Sequence, residues 1–271
     1  MDGQPPETTD RYTVKSVARA LKLISIVADG PTEGLNLSEL ASALGASKST
    51  TLAIAKTLVS AGYLSDARPG PRYCLGTNLV RLGDLANQRT PLGEMCRPAL
   101  IALANETQMT ARVALNDGGY PVFIDRVDGP GSVRFYTPLG QREVPYASAA
   151  GKAILATLPD ERVKEICAET GMVARTSHTI TEIDALTDNL SLVRQRGFAI
   201  DDEEDAEGIF CASAAFFDHA HRCVGALSVT GIKGDLPSWK VETIGEHVRN
   251  YANQITQSLD GAAYEEYIKS H

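Results

Sequence analysis

The 271-residue chain is poor in aromatic residues, at 6%, and carries a single Trp. No apolar run approaches the ~20 residues that cross a bilayer as a helix, so no helical membrane span and no membrane partner are expected. The N-terminus, MDGQPPETTD, is acidic and polar, unlike a signal or transit peptide. Residues 1–12 are expected to form a disordered tail. The five cysteines, Cys74, Cys96, Cys167, Cys211 and Cys223, are odd in number and never spaced as CxxC. That usage fits reduced thiols in a cytoplasm, with no structural zinc. Neither G-x-S-x-G, nor a metal-ligand spacing, nor a phosphate loop occurs, so no metal and no cofactor are expected.

What is present is an ordinary globular mixture, 43% hydrophobic and 22% charged, long enough for two domains. A net charge of −8 speaks against nucleic acid, but its distribution does not. Residues 11–90 hold ten Lys/Arg against five Asp/Glu, while residues 91–271 carry a net −10. A basic module on an acidic body suits a protein that grips a polyanion with one end.

Residues 37–58 read LSELASALGASKSTTLAIAKTL. Leu37, Leu40, Ala41 and Leu44 recur at the spacing of one helical face. Gly45 breaks the run, and Ser47 offers an oxygen to cap a second helix. That helix would turn Thr51, Ile54, Ala55 and Leu58 inward, leaving Lys48, Ser49, Leu52, Ala53 and Lys56 outward. Two short helices about a Gly turn form a helix-turn-helix, whose second helix can enter a DNA major groove. An ordinary pair of core helices has the same pattern.

Before it, residues 14–27 read as an amphipathic helix with Val14, Val17, Ala18, Leu21, Ile24 and Val27 along one stripe. After it, two β-prone runs flank a Pro/Gly turn over residues 61–75. Three helices and a hairpin make a winged helix. Arg68 and Arg72 place positive charge on the wing, for phosphate contact or as a solvated loop. Residues 77–88 carry Leu79, Leu82, Leu85 and Ala86 at helical spacing, as a linker helix with an apolar stripe for a partner chain. The boundaries expected are 13–75 for the winged helix, 76–90 for the linker helix and 91–271 for the second domain.

In that domain a helix over residues 92–108 has an apolar face including Met95, Leu100, Ile101 and Ala104. Residues 110–115, 120–127 and 132–136 then read as a strand meander. A helix capped by Ser148 begins at Ala149. Helices follow over residues 160–167 and 183–195, a strand near 197–200, a hairpin over 210–217 and 223–230, and a closing helix over 239–259. The fold class is α+β, with helices packed on an antiparallel sheet.

These pieces in this order resemble IclR-type transcriptional regulators. The resemblance rests on VARALKLISIV, LSELASALGASKST followed by TL and GYL, RYCLGTNLVRLG, PLGQREVPYASAAGKAILA, RGFAIDDEEDAEGIFCASAAFFD and VGALSVTG. It implies a winged helix-turn-helix followed by a GAF-like effector domain, a homodimer or dimer of dimers on double-stranded operator DNA, and usually repression. The family's recognition helix usually continues with a His-Arg pair where this chain has Leu52 and Ala53. The polar DNA contacts left are Ser47, Lys48, Ser49, Thr50 and Lys56, with Leu52 available to thymine methyl groups. The implied effector site, for a small organic acid, takes Ala149 and Ala150 at the helix start with Asp201, Cys211, Ser228 and Thr230. Spacing alone puts Ser228 and Thr230 on one side of a strand. The start of the Ala149 helix would expose N–H groups to an anion. Taken singly, the acids at 201–204 also fit a solvated loop, and Cys211 a small core residue. The alternative function is a hydrolase using Cys211 with His219, or an acid/base pair within residues 201–204.

Overall fold

The computed structural model describes residues 13–67, 72–88, 91–131, 134–135 and 138–261; the expected tail, Arg68 and most of the expected strand over 132–136 lie outside them. The chain divides into two units, residues 1–89 and 90–271.

The first unit begins with α1 (Lys15–Ala28), β1 (Leu35–Asn36) and α2 (Leu37–Leu44). Asn36 accepts hydrogen bonds from the Ser38 and Glu39 amides, and Glu39 accepts one from the Asn36 N–H. This capping box satisfies the first orphan donors of α2. Gly45, left-handed at φ +66°, ends α2, a conformation that costs glycine little. Ser47 Oγ then accepts from the Thr50 N–H at 3.2 Å to start α3 (Lys48–Ser60). Next come β2 (Leu64–Ala67), β3 (Arg72–Leu75) and α4 (Thr77–Gln88). The wing is a three-stranded antiparallel sheet in the order β1-β3-β2, one strand more than the predicted hairpin. Leu23, Val27, Leu40, Leu44, Ala55, Leu58, Leu64 and Tyr73 form the core.

The face of α1 differs from the predicted stripe. Leu23 and Val27 are buried with Ala20 and Ile24 beside them, whereas Val14, Val17 and Leu21 are 59, 54 and 61% exposed. The helix carries two apolar stripes, and helical periodicity by itself does not say which of the two meets the core.

The second unit runs α5 (Pro91–Thr107), β4 (Thr110–Asp117), β5 (Tyr120–Val127), α6 (Ala149–Leu155), α7 (Asp160–Thr170), α8 (Ile183–Arg196), β6 (Ala199–Asp202), β7 (Ile209–Phe217), β8 (Cys223–Ile232) and α9 (Lys240–Ser258). Its antiparallel sheet has the order β5-β4-β8-β7-β6. Alternate residues divide the two faces. Val113, Phe210, Ala212, Phe216, Leu227 and Val229 pack with α5 and α9, through Leu100, Leu103, Ile244 and Val248. On α5, Ile101 turns outward, opposite to its predicted place. Ala114, Phe123, Ala199 and Ala226 pack on the other face with Ile154, Val163, Ile166, Leu186 and Leu190 of α6, α7 and α8. A register shift in the β4–β5 pairing falls between Val113 and Ala114, the kind of bulge that re-aims neighbouring side chains.

Gly151 lets α6 press against the preceding segment: a Cβ there would lie 2.2 Å from the Pro145 carbonyl oxygen. Backbone cannot yield as a flexible side chain can. Gly151→Ala is expected to destabilise the full chain by about 1–3 kcal/mol, read as a lower thermal midpoint; an unchanged midpoint would mean that this approach is loose.

Candidate functional site

On α3, Thr51, Ala55 and Leu58 are buried, and Thr51 Oγ1 donates to the Ser47 carbonyl at 3.0 Å. Lys48, Ser49, Ala53 and Lys56 are exposed, as the spacing predicts, while Leu52 is half-buried. Leu52 therefore offers less of itself to a groove than an outward residue would. Ser47 Oγ lies 3.0 Å from Ser49 Oγ and 2.9 Å from Thr50 Oγ1, so three hydroxyls share one cap network at the helix start. Arg72 donates from Nη1 to the Gly34 carbonyl at 2.7 Å, fastening β3 to the turn before β1. One arm of its guanidinium thus holds the wing together.

In the second unit, strand register assembles a polar row on the face that α6 covers. Cys211 of β7 lies opposite both Asp201 of β6 and Thr230 of β8. One step along, Ser228 lies opposite Ser213 of β7 and Arg112 of β4. Directly opposite residues share a side of the sheet with Cβ atoms about 5 Å apart, so Asp201, Cys211, Ser228 and Thr230 are brought together. Every one of these, and Arg112, is at most 8% exposed. Thr230 Oγ1 is 3.2 Å from Cys211 Sγ, and Ser213 donates to the Leu227 carbonyl at 2.6 Å. Ser228 Oγ is buried and has no hydrogen-bond partner among the described residues. A buried orphan hydroxyl costs roughly 1–3 kcal/mol and calls for an occupant.

Asp201 turns its carboxylate to the loop that follows, accepting from the Glu204 and Asp205 amides at 2.8 and 3.2 Å. Burial pushes it up to about 6, against those hydrogen bonds and the charge of Lys152. Lys152 of α6, fully buried, donates to Glu204. Burial pulls the lysine down and pushes the glutamate up, and their mutual attraction resists both. Thr176 and Thr179 donate to the Glu203 and Glu204 carbonyls, both at 2.6 Å, stitching the segment after α7 onto this turn. Residues 201–204 are therefore a built turn: Asp202 pairs with Lys233 at 2.5 Å, and Glu203 accepts from the Gly208 amide at 2.8 Å.

Several expectations need correction. The start of α6 is closed: all seven of its residues are buried, and Ser148 Oγ takes the Gly151 N–H at 3.1 Å. Ala147 and Ala150 belong to the hydrophobic cluster with Ile154 and Phe123, so their small size serves packing. The Cys211–His219 pair does not form, because the two lie at opposite ends of the β7–β8 hairpin. Eight residues separate them, about 25 Å of extended strand. Burial also pushes the Cys211 thiol up to about 12, away from nucleophilic thiolate. Three charged residues of this face were missed. Arg112 was hidden inside a β-prone run, Lys152 inside the apolar run AAGKAILA, and Glu143 in a loop. A charge at an inward position of a periodic run was the available signal. A separate cavity of about 450 Å³ lies between the end of α5 and the start of α9, lined by Met109, Trp239, Ile244 and His247. It touches the row only at Thr110 and Thr230.

A helix-turn-helix with a wing, followed by an α+β domain that buries a polar row, defines a two-part DNA-binding regulator. Residues 16–67 match the family model of the IclR helix-turn-helix domain, and residues 85–257 that of the bacterial transcriptional regulator IclR C-terminal domain. The chain belongs to the IclR family of transcriptional regulators. It is 29% identical over 250 residues to the transcriptional repressor IclR of Escherichia coli (strain K12), covering 92% of this chain and 91% of that one. The Thermotoga maritima IclR crystal structure matches with a TM-score of 0.74 at 27% identity, over 90% of this chain and 98% of that one. An IclR homolog from Microbacterium hydrocarbonoxydans, complexed with 4-hydroxybenzoate, shares the fold with a TM-score of 0.77 at 18% identity, over 90% and 99% of the two chains.

The Asp201 carboxyl binds its proton more tightly folded than unfolded. Its stabilising contribution is complete below pH about 4 and is lost as pH rises through about 6. Asp201→Asn keeps an acceptor for the two amides and does not titrate. Its stability relative to the parent chain is expected to rise between pH 4 and 6, by up to roughly 3 kcal/mol, and then to level off. Urea titrations across that range check this, and a difference independent of pH would contradict it.

Proposed function

We propose that this chain is a ligand-responsive repressor that binds double-stranded operator DNA through residues 13–75 and a small carboxylate metabolite through residues 91–271, without catalysis. The observation that carries the ligand half is the buried polar row with its unpartnered Ser228 hydroxyl. Asp201, Cys211, Ser228 and Thr230 share one face of the sheet there; Ala149 and Ala150, at the start of the buried α6, complete the proposed site. A fold relative was crystallised with an aromatic hydroxy acid, which supports a ligand of this class.

The DNA half is supported by the exposed Lys48, Ser49 and Lys56 of α3; Ser47, Thr50, part of Leu52 and Arg72 are the further proposed contacts, with Arg68, which lies outside the described residues. The proposed linker, residues 76–90, contains α4 (Thr77–Gln88). The exposed apolar stripe of α1 (Val14, Val17, Leu21) and Val80 of α4 suits a second copy of the chain, in a homodimer or dimer of dimers. The described cysteines are free, and no helix among the described residues is long and apolar enough to cross a membrane; both features suit a cytoplasmic regulator. Ligand binding would favour one arrangement of the oligomer and so change operator affinity.

A gel shift on the promoter beside its own gene tests the DNA half. Replacing both Lys48 and Lys56 by Ala is expected to weaken binding and to lower the slope of log affinity against log salt by about 2, one per phosphate contact. Unchanged affinity would mean that another face of α3 meets DNA. For the ligand half, calorimetry with a panel of organic acids is expected to give binding that Asp201→Ala weakens; no binder, or a variant that binds equally well, overturns it.

A further inference from the structure

We propose that the cavity between the end of α5 and the start of α9 is a second small-molecule site, taking an uncharged, aromatic-ring-sized ligand that stacks against Trp239 and donates a hydrogen bond to Glu106. This site is independent of the proposed effector site on the face that α6 covers.

The cavity measures about 450 Å³, within the roughly 300–1,000 Å³ of small-molecule sites. Its edges are held by their own hydrogen bonds. Gln108, left-handed at φ +61°, turns the chain from α5 into β4, a strained backbone of the kind that clusters at ligand sites. Its Nε2 donates to the Asn105 carbonyl at 2.6 Å. Across the opening, two tight turns lead from β8 into α9, closed by the Leu236 N–H on the Lys233 carbonyl at 3.0 Å and the Lys240 N–H on the Pro237 carbonyl at 2.9 Å. The depth is apolar: Met109 and Ile244 are 8 and 5% exposed, with Phe135 and Leu236 also in the wall. Thioether and aromatic walls suit a flat ring.

Trp239, the only tryptophan of the chain, lines this cavity yet is 71% exposed. An indole left in water is a large apolar area without cover, and a ring seated in the cavity would bury it. Glu106 accepts from the Tyr251 hydroxyl through Oε1 at 2.7 Å, while His247 Nδ1 lies 3.6 Å from its Oε2, past hydrogen-bond reach. Oε2 is thus placed to accept from a ligand. At the rim the acids Glu106 and Asp235 are offset by Lys240 and the His247 imidazole, so neither an anion nor a cation meets a field of one sign. A neutral donor reaches Glu106 without shedding the hydration of an ion.

Trp239 is its own reporter. The full chain is titrated with probes of similar size: benzyl alcohol, its isomer anisole, cyclohexylmethanol, benzoate and benzylamine. Benzyl alcohol is expected to shift the Trp239 emission to shorter wavelength, saturably, at millimolar concentration or below. Anisole lacks the donor and cyclohexylmethanol lacks the ring; each is expected to bind at least about threefold more weakly. Glu106→Ala is expected to make benzyl alcohol and anisole bind alike. Trp239→Ala, read by calorimetry, is expected to weaken benzyl alcohol by at least about threefold. Both side chains are exposed, so neither change disturbs the core. No saturable shift with benzyl alcohol overturns the site. A benzyl alcohol preference over anisole that survives Glu106→Ala overturns the contact to Glu106. Benzoate or benzylamine that shifts the emission at as low a concentration as benzyl alcohol overturns the uncharged class.

Discussion

In the second unit the Lys152–Glu204 pair is the constraint to which the rest of the site answers. An ammonium group with no exposure survives only beside an opposite charge, and removing one partner of such a pair costs several kcal/mol. The pair fixes α6 to the turn after β6. Asp201 shapes that turn through the Glu204 and Asp205 amides, and Thr176 and Thr179 bind its carbonyls. Each contact positions the next, so a charge buried for electrostatic reasons becomes the frame of a polar row.

The row persists because the sheet is asymmetric. Its α5/α9 face is filled by Phe210, Phe216, Leu227 and Val229, whose burial supplies the stability of the unit. The opposite face is split: Ala114, Ala199 and Ala226 pack under α6 and α8, while Arg112, Cys211, Ser228 and Thr230 continue the same strands with polar groups. A polar half-face of this kind is costly. One apolar face that packs well is what lets the other carry an unpartnered hydroxyl.

Much of this was legible in the sequence, and the failures have physical causes. The helix-turn-helix was readable because Gly45 and Ser47 are turn and cap chemistry, local to the chain. Ser228 and Thr230 were placed together because strand alternation is also local. Which stripe of α1 faces the core was not readable, since both stripes are apolar and only α2, α3 and the wing decide between them. Arg112 and Lys152 were invisible as site residues for a related reason. Their neighbours come from strands and turns 52 positions away for Glu204 and 99 for Cys211, and farther still for Ser228, and pairing over that distance is set by the sheet order β4-β8-β7-β6. The family resemblance supplied Asp201 and Cys211, which periodicity would have left as an acidic loop and a core thiol.

A row this closed also constrains how a ligand could act. Asp201, Cys211, Ser228 and Thr230 are almost without solvent contact, so on the proposed reading an effector would reach them only if part of their cover moved. The segment after α7 closes over the turn at Glu203 and Glu204. Its Arg175–Asp205 ion pair is about one-third to two-fifths exposed and worth at most about 1 kcal/mol, and its other ties include the two threonine hydroxyls, the Tyr146 hydroxyl on the Val173 carbonyl, and the packing of Met172 and Ile180. An effector that supplied the bond Ser228 lacks would be repaid at a buried hydroxyl without a partner among the described residues. Ligand occupancy and the closed turn over Glu204 would then favour each other. By linkage, whatever second-unit arrangement operator DNA prefers must shift effector affinity by the same factor that the effector shifts DNA affinity. A repressor whose DNA affinity falls on binding its acid must therefore bind that acid less tightly when it sits on its operator.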